Sequence, residues 1–134
     1  MNASWPTRWL GVAAPMASLV TVVELPSFER SVRGELSEQE VDEIKDFVAE
    51  NPTAGVLVKG TGGVRKLRWA ASGRGKRGGG RVIYYFHDLE MPLYLFKFYT
   101  KAAKSDLTAS EKKELSGVVE ALVKQHKPGT SSGG

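Results

Sequence analysis

The chain has 134 residues, of which 41% are hydrophobic and 25% are charged, and this composition predicts one globular domain rather than a disordered or fibrous protein. It contains no cysteine, which excludes disulfides, thiolate metal sites and thiol nucleophiles. The two histidines, His87 and His126, are too far apart for a metal-ligand motif, and the net charge of +4 alone says little about partners.

The first 18 residues carry one charge, Arg8, and their apolar run is interrupted by Pro15, a pattern that is not typical of a signal peptide. We predict a weakly ordered extension over residues 1–18 and a single domain over 19–124. The chain ends in KPGTSSGG, and we predict a disordered tail over 125–134. No stretch is apolar for long enough to form a transmembrane helix.

The first half of the domain predicts a strand followed by two helices. The β-branched run Leu19–Leu25 is typical of a buried strand, and Pro26 can open a short helix that Gly34 closes. Residues 37–40, Ser-Glu-Gln-Glu, form a capping box that begins a second helix. That helix should stop at Asn51-Pro52. Its apolar face consists of Val41, Ile44, Phe47 and Val48.

The second half predicts three strands, at Val64–Ala70, Arg81–His87 and Pro92–Tyr99. Strict alternation in the first of them places Lys66 and Arg68 on the face opposite Arg65, Leu67 and Trp69. The same alternation in the third strand predicts two sets of neighbours: Leu93, Leu95, Lys97 and Tyr99 on one face, with Tyr94, Phe96 and Phe98 on the other.

A second capping box, Thr-Ala-Ser-Glu at 108–111, opens the last helix, whose apolar residues are Leu115, Val118, Val119 and Leu122. The predicted order is therefore β-α-α-β-β-β-α. This order is typical of an α+β domain with a small, twisted, mostly antiparallel sheet of about four strands and helices packed on one side.

Charge is divided unevenly along the chain. Residues 24–50 hold nine acidic and three basic side chains, whereas residues 51–87 hold eight basic side chains and no acidic one. Basic side chains that follow one another without acidic neighbours repel each other, which is unfavourable unless an anion binds them. Guanidinium groups bind phosphate in bidentate geometry, so the basic segment indicates phosphate capture. The alternative is a solvated hairpin that only keeps the protein in solution.

The sequence holds three further candidates for chemistry, namely a glycine-rich motif, the tyrosines and His87. Residues 73–78 match the G-x-G-x-x-G pattern, but a strand and not a helix follows, which argues against dinucleotide binding. Among the tyrosines, Tyr84 and Tyr94 are predicted to be core residues, whereas Tyr99 ends a strand beside lysines and could stack on a base or bring its hydroxyl to a phosphate. His87 is a possible general base, although a histidine at a strand end is more often a surface residue.

The runs GTGGVRKLRWAASGRGKRGGGRVIYYFHD and LYLFKFYTKAAKSDLTASEKKEL resemble the HigB-like branch of the RelE/ParE toxin superfamily of bacterial type II toxin-antitoxin systems, over about residues 22–122. The resemblance implies a compact RelE-like fold and a cytoplasmic mRNA interferase, an endoribonuclease that cuts translated mRNA at the ribosome. It implies no metal or other cofactor, because the RNA 2′-hydroxyl attacks its own phosphate. The implied partners are mRNA, ribosomal RNA and an antitoxin protein of the helix-turn-helix type, without a membrane.

The resemblance also implies site residues. The catalytic set would be Lys66, Arg68, Arg81, Tyr99 and Lys101, of which the first three would hold the phosphate, Tyr99 would stack on a base, and Lys101 would assist the leaving oxygen or contact RNA. Further contacts to RNA would come from Arg65, Arg74, Lys76, Arg77 and Lys104. The residue that acts as general base stays open.

Two alternatives belong to different functional classes. One is a ParE-like toxin without enzymatic activity that inhibits a protein target such as DNA gyrase, although ParE-type proteins tend to lack such a dense basic set. The other is a catalytically decayed relative that only binds RNA.

Overall fold

The computed structural model describes residues 20–70 and 79–126. The predicted extension, the Gly/Arg loop with Arg74, Lys76 and Arg77, and most of the predicted tail lie outside these ranges. The elements in chain order are β1 (Val22–Glu24), α1 (Pro26–Val32), α2 (Glu38–Glu50), β2 (Val56–Leu57), β3 (Val64–Trp69), β4 (Gly80–Tyr85), β5 (Leu93–Thr100) and α3 (Ala109–His126).

The sheet has five strands in the order β1-β5-β4-β3-β2. Strand β1 pairs with β5 in parallel, and the other three pairs are antiparallel. The α+β class and the mainly antiparallel sheet are confirmed, but the prediction of about four strands in the order β-α-α-β-β-β-α is wrong. The missing element is β2, which has only two residues and no alternating apolar pattern, so it was indistinguishable from a loop in the glycine-rich sequence.

The helix boundaries follow the local signals closely. In the first capping box, the Glu40 amide donates to Ser37 Oγ (3.1 Å) and the Ser37 amide donates to Glu40 Oε1 (2.9 Å). Helix α1 begins at Pro26 and is followed by Gly34 at φ +76°, a left-handed conformation that glycine adopts at no steric cost. Helix α3 continues to His126, two residues beyond the predicted domain boundary.

The core is divided between the two faces of the sheet. One cluster joins Phe28 of α1 and Ile44 of α2 to the sheet, and the other joins Val119 of α3 to it. Neighbouring residues of β4 alternate between these clusters, with Tyr84 in the first and Tyr85 in the second. The prediction that the helices pack on one side is therefore wrong, because α3 covers the face opposite α2.

A β-bulge in β5 changes the predicted pattern of that strand. Ile83 is paired with Lys97 and Tyr84 with Leu95, so Phe96 is the extra residue. Beyond the bulge, Phe98 belongs to the same cluster as Leu95, and Tyr99 belongs to the cluster on the α3 face. Strict alternation placed Tyr99 with Leu95, and this prediction is wrong because one inserted residue reverses the faces that follow.

Tyr84 confirms its predicted place in the core and fixes the loop before β2. Its hydroxyl accepts a hydrogen bond from the Gly55 amide (2.9 Å) and donates one to the Pro52 carbonyl (2.8 Å). Burial raises the pKa of this phenol, against the hydrogen bond from Gly55 and the nearby Arg65 charge. The side chain itself is fully buried.

Replacing Tyr84 with phenylalanine should lower the free energy of unfolding by about 1–2 kcal/mol, because two backbone groups lose their partner. Urea unfolding of the purified variant measures this, with Tyr94→Phe at a half-buried position as the matched control. Equal stability of the two variants would show that water replaces the lost hydroxyl without cost.

Candidate RNA-binding face

Two arginines and a tyrosine lie side by side across three strands. Arg68 of β3 is directly opposite Arg81 of β4, which is directly opposite Tyr99 of β5. We call these three residues the basic rung. Like charges directly opposite on neighbouring strands destabilise a sheet, so the Arg68–Arg81 pairing carries a cost that a bound anion would relieve.

The basic rung borders an open groove. Arg68 is exposed, and Arg81 is half-buried with Nη1 donating to the Gly80 carbonyl at 3.1 Å. The groove has a volume of about 330 Å³, and its lining residues are Arg68, Trp69, Ala70, Gly79, Gly80 and Arg81. A ligand in this groove would therefore touch both Arg68 and Arg81.

Lys66 lies on the same face, two residues before Arg68. Its ammonium forms an ion pair with Asp106 Oδ1 at 3.2 Å. The hydrogen bond from the Leu107 amide and the one from Lys66 lower the pKa of Asp106, so this carboxylate is charged at neutral pH. In the structure Lys66 is thus paired with an acidic side chain of the segment that links β5 to α3.

Tyr99 is 7% exposed, and Lys104 covers its ring with the ammonium 5.5 Å from the ring centroid. Both the sheet and Lys104 occupy the surroundings of this ring, so the predicted stacking on a base stays a prediction that would need Lys104 to leave the ring. The hydroxyl is buried and has no hydrogen-bond partner among the described residues. Burial, with the charges of Asp106 and Glu111, raises the pKa of Tyr99 against the effect of Arg81, so the phenol keeps its proton and can act as a donor.

Glu111 brings two lysines together beside Tyr99. Its Oε2 accepts hydrogen bonds from Lys97 (3.1 Å) and from Lys104, whereas its Oε1 accepts one from the Thr108 amide (2.8 Å). Burial raises the pKa of Glu111, but the bonds from Lys104, Thr108 and Lys97 outweigh it and lower the pKa to about 2. The second predicted capping box is confirmed, since Thr108 Oγ1 accepts from the Glu111 amide in return (3.1 Å).

This pKa predicts a pH dependence of stability. Because the folded-state pKa of Glu111 lies below the ordinary value of 4.5, its charged carboxylate stabilises the fold above about pH 4.5. This stabilisation is lost as the pH falls towards 2. At pH 7, Glu111→Gln should lower the free energy of unfolding by on the order of 1 kcal/mol after allowance for solvent screening, and by much less near pH 2.

Urea unfolding across pH 2–7 measures this difference. Glu114→Gln, at an exposed position of the same helix, is the matched control. A loss for Glu111→Gln that does not change with pH would contradict the assignment of the stabilisation to the charge.

The structure does not bring all the predicted site residues together. Arg65 lies on the opposite face of β3, where its Nη1 donates to the carbonyls of Thr53 (3.2 Å) and Gly55 (2.7 Å). Lys101 is exposed beyond the end of β5, and its amide donates to the Gly79 carbonyl at 3.1 Å. Lys66, Arg68, Arg81, Tyr99 and Lys104 do share one face.

Sequence reasoning missed three charged residues of this face, namely Lys97, Asp106 and Glu111. Glu111 was recognised as a capping residue, and nothing in the local sequence signals that its other oxygen binds two lysines. Asp106 meets Lys66 across 40 positions of the chain. Such a contact depends on the docking of α3, which a local pattern does not encode.

The other candidate groups lie elsewhere. His87 is beyond the end of β4 remote from Arg81, with Nδ1 3.0 Å from the Tyr85 hydroxyl. Within residues 20–70 and 79–126, no three histidine or acidic side chains are grouped so that they could hold a metal ion. In the same ranges no helix combines the length and apolar character needed to cross a membrane.

No protein-family model matches the chain. Among solved structures, the chain is similar to an arginine double mutant of the E. coli toxin RelE in the free state, with 16% identity and a TM-score of 0.44 over 81% of this chain and 98% of that one. A similarity of this degree does not establish the family, and it does not distinguish a HigB-like branch.

Proposed function

We propose that the chain is the toxin of a type II toxin-antitoxin system and an endoribonuclease that cuts translated mRNA at the ribosome. The observation that carries the proposal is the basic rung, in which Arg68 and Arg81 stand opposite one another beside Tyr99. Two guanidinium groups in register form a fork for the oxygens of one phosphate. Lys66 on the same face, paired with Asp106, adds an ammonium donor.

The proposed reaction is an internal transesterification of RNA. The 2′-oxygen forms a bond to the adjacent phosphorus, the bond from phosphorus to the 5′-oxygen breaks, and the products are a 2′,3′-cyclic phosphate and a 5′-hydroxyl. The 2′-hydroxyl gives up its proton to a base, and the 5′-oxygen takes one from a cationic acid. Lys66 and Lys101 are the candidates for that acid.

The main contribution of the protein is electrostatic. Negative charge accumulates on the non-bridging oxygens as the phosphorus becomes five-coordinate, and Arg68 and Arg81 stabilise it there. The protonated Tyr99 hydroxyl, which lacks a partner among the described residues, can donate a hydrogen bond to one of these oxygens while Lys104 stays over the ring. Tyr99 thus acts through its hydroxyl and not by stacking.

The partners follow from the same surface. mRNA and ribosomal RNA supply the phosphates that a cationic face binds, and the affinity should fall steeply with salt. An antitoxin would keep the protein inactive by covering this face with an acidic or strand-forming segment.

Expression in bacteria with mapping of new 5′ ends tests the proposal. Growth arrest should be accompanied by 5′-hydroxyl ends within reading frames, and both should be lost when Arg68 and Arg81 are replaced by alanine together. Arg33→Ala, at an exposed arginine after α1, should leave both unchanged. Arrest without mRNA cleavage would overturn the nuclease and favour inhibition of a protein target such as DNA gyrase.

A further inference from the structure

The carboxylate of Glu111 has two separate tasks. Oε1 accepts the Thr108 amide and so caps α3, a role for which one oxygen is sufficient. Oε2 instead faces the sheet and accepts hydrogen bonds from Lys97 and Lys104. Helix capping therefore explains one of the three hydrogen bonds that this side chain accepts.

The two lysines need an anion between them. Lys97 lies in β5 and Lys104 lies in the segment that follows it, and both ammonium groups contact the same oxygen atom. Two ammonium groups at this spacing repel each other strongly in a partly buried site. Only the charge of Glu111 makes the arrangement stable, because Lys97 and Lys104 carry no second carboxylate among their ion pairs in the described part of the chain.

Lys104 is the member of this cluster that reaches the site. It lies over the ring of Tyr99, whose buried hydroxyl has no partner among the described residues, and Tyr99 is the end of the basic rung. Two positive charges on one carboxylate leave a net charge of +1. The cluster can therefore still attract a phosphate while Lys104 stays in place.

Resting on the proposed function, we propose that Glu111 is a positioning residue for RNA cleavage, which holds Lys104 against Tyr99 so that both meet the scissile phosphate. Lys104 contacts the RNA, and Glu111 acts through it. Without the carboxylate the two lysines move apart, and Lys104 leaves the ring of Tyr99.

The proposal separates RNA binding from RNA cleavage. Glu111→Gln keeps a carbonyl oxygen that can cap α3 but removes the negative charge. Lys97 and Lys104 are then no longer held together, and each can bind phosphate in many orientations. RNA affinity should rise severalfold, because one repulsive charge is lost from the face. The cleavage rate at saturation should fall about 10- to 100-fold, because Lys104 is misplaced.

Single-turnover cleavage of mRNA on programmed ribosomes measures both quantities, as the rate at saturating protein and the concentration that gives half of it. The variants are Glu111→Gln, Lys104→Met and the double variant, each as the full chain. Thr108→Ala is the matched control, because it removes the acceptor of the Glu111 amide but keeps both lysine contacts. Thermal unfolding of every variant reports whether the fold is retained.

We expect Glu111→Gln and Lys104→Met each to slow the saturated rate, the double variant to be no slower than Lys104→Met, and Thr108→Ala to lower the melting temperature with a rate within about twofold of the original. A second readout, the NMR shift of the Tyr99 ring in the free protein, should change in both Glu111→Gln and Lys104→Met. Full activity of Glu111→Gln, or losses that add in the double variant, would overturn the positioning role. Absence of cleavage by the unchanged chain would overturn the proposed function itself.

Discussion

Replacing Arg81 with alanine should lower the rate of RNA cleavage by about 100- to 1,000-fold, the effect of losing one preorganised charged donor to a transition-state oxygen. Arg81 is the central member of the basic rung, with Arg68 on one side and Tyr99 on the other. A phosphate bound at either neighbour would therefore lie beside Arg81. Single-turnover cleavage on programmed ribosomes measures the loss.

Two controls separate chemistry from charge. Arg33→Ala removes one positive charge at an exposed position after α1 and should cut RNA at the original rate. Arg81→Lys keeps the charge but loses the bidentate fork, so its rate should lie between those of the original chain and Arg81→Ala. If Arg81→Lys were fully active, the site would need only a point charge, and phosphate recognition by paired guanidinium groups would be contradicted.

The helices could be predicted from the sequence because their signals are local. Both capping boxes consist of residues three positions apart, and their reciprocal hydrogen bonds form as expected. The side on which each helix packs is a different kind of property. It depends on the path of the chain between α3 and β5, and the amphipathic pattern of α3 fits either face of the sheet equally well.

The cationic part of the site was predictable for the same reason. Period-two alternation in β3 places Lys66 and Arg68 on one face whatever the partner strand is. Tyr99 joins that face only because Phe96 is inserted as a bulge opposite the Ile83–Tyr84 step. A bulge has no reliable sequence signature in an aromatic strand, so the partners of Tyr99 could not be derived by counting residues.

The acidic part of the site could not be predicted at all. Asp106 meets Lys66 of β3 across 40 residues of the chain. Glu111 meets Lys97 of β5 and Lys104 of the segment that follows β5. From the sequence these side chains belong to a turn and a helix cap. Their second role exists only when α3 is docked.

Replacing Gly80 with alanine should lower the free energy of unfolding by about 2–3 kcal/mol, because the added methyl group has no space. A Cβ at this position would lie 2.5 Å from Phe98 Cζ and 2.7 Å from the Tyr99 carbonyl oxygen. The Phe98 ring is buried in the core, and the Tyr99 carbonyl belongs to the β5 backbone, so neither can move without disturbing the β4–β5 pairing. Urea unfolding at pH 7 measures the loss.

Gly117→Ala is the matched control, because a Cβ there meets nothing within 4 Å and the residue lies inside α3. This variant should be more stable than the original chain by about 0.5–1 kcal/mol, since alanine loses less backbone entropy in a helix. Gly80 also precedes Arg81 in β4, so a backbone shift there should move the central guanidinium of the basic rung. Gly80→Ala protein that is still folded should therefore cut RNA more slowly, and full activity in a stable Gly80→Ala variant would show that the register of β4 and β5 does not set the geometry of the site.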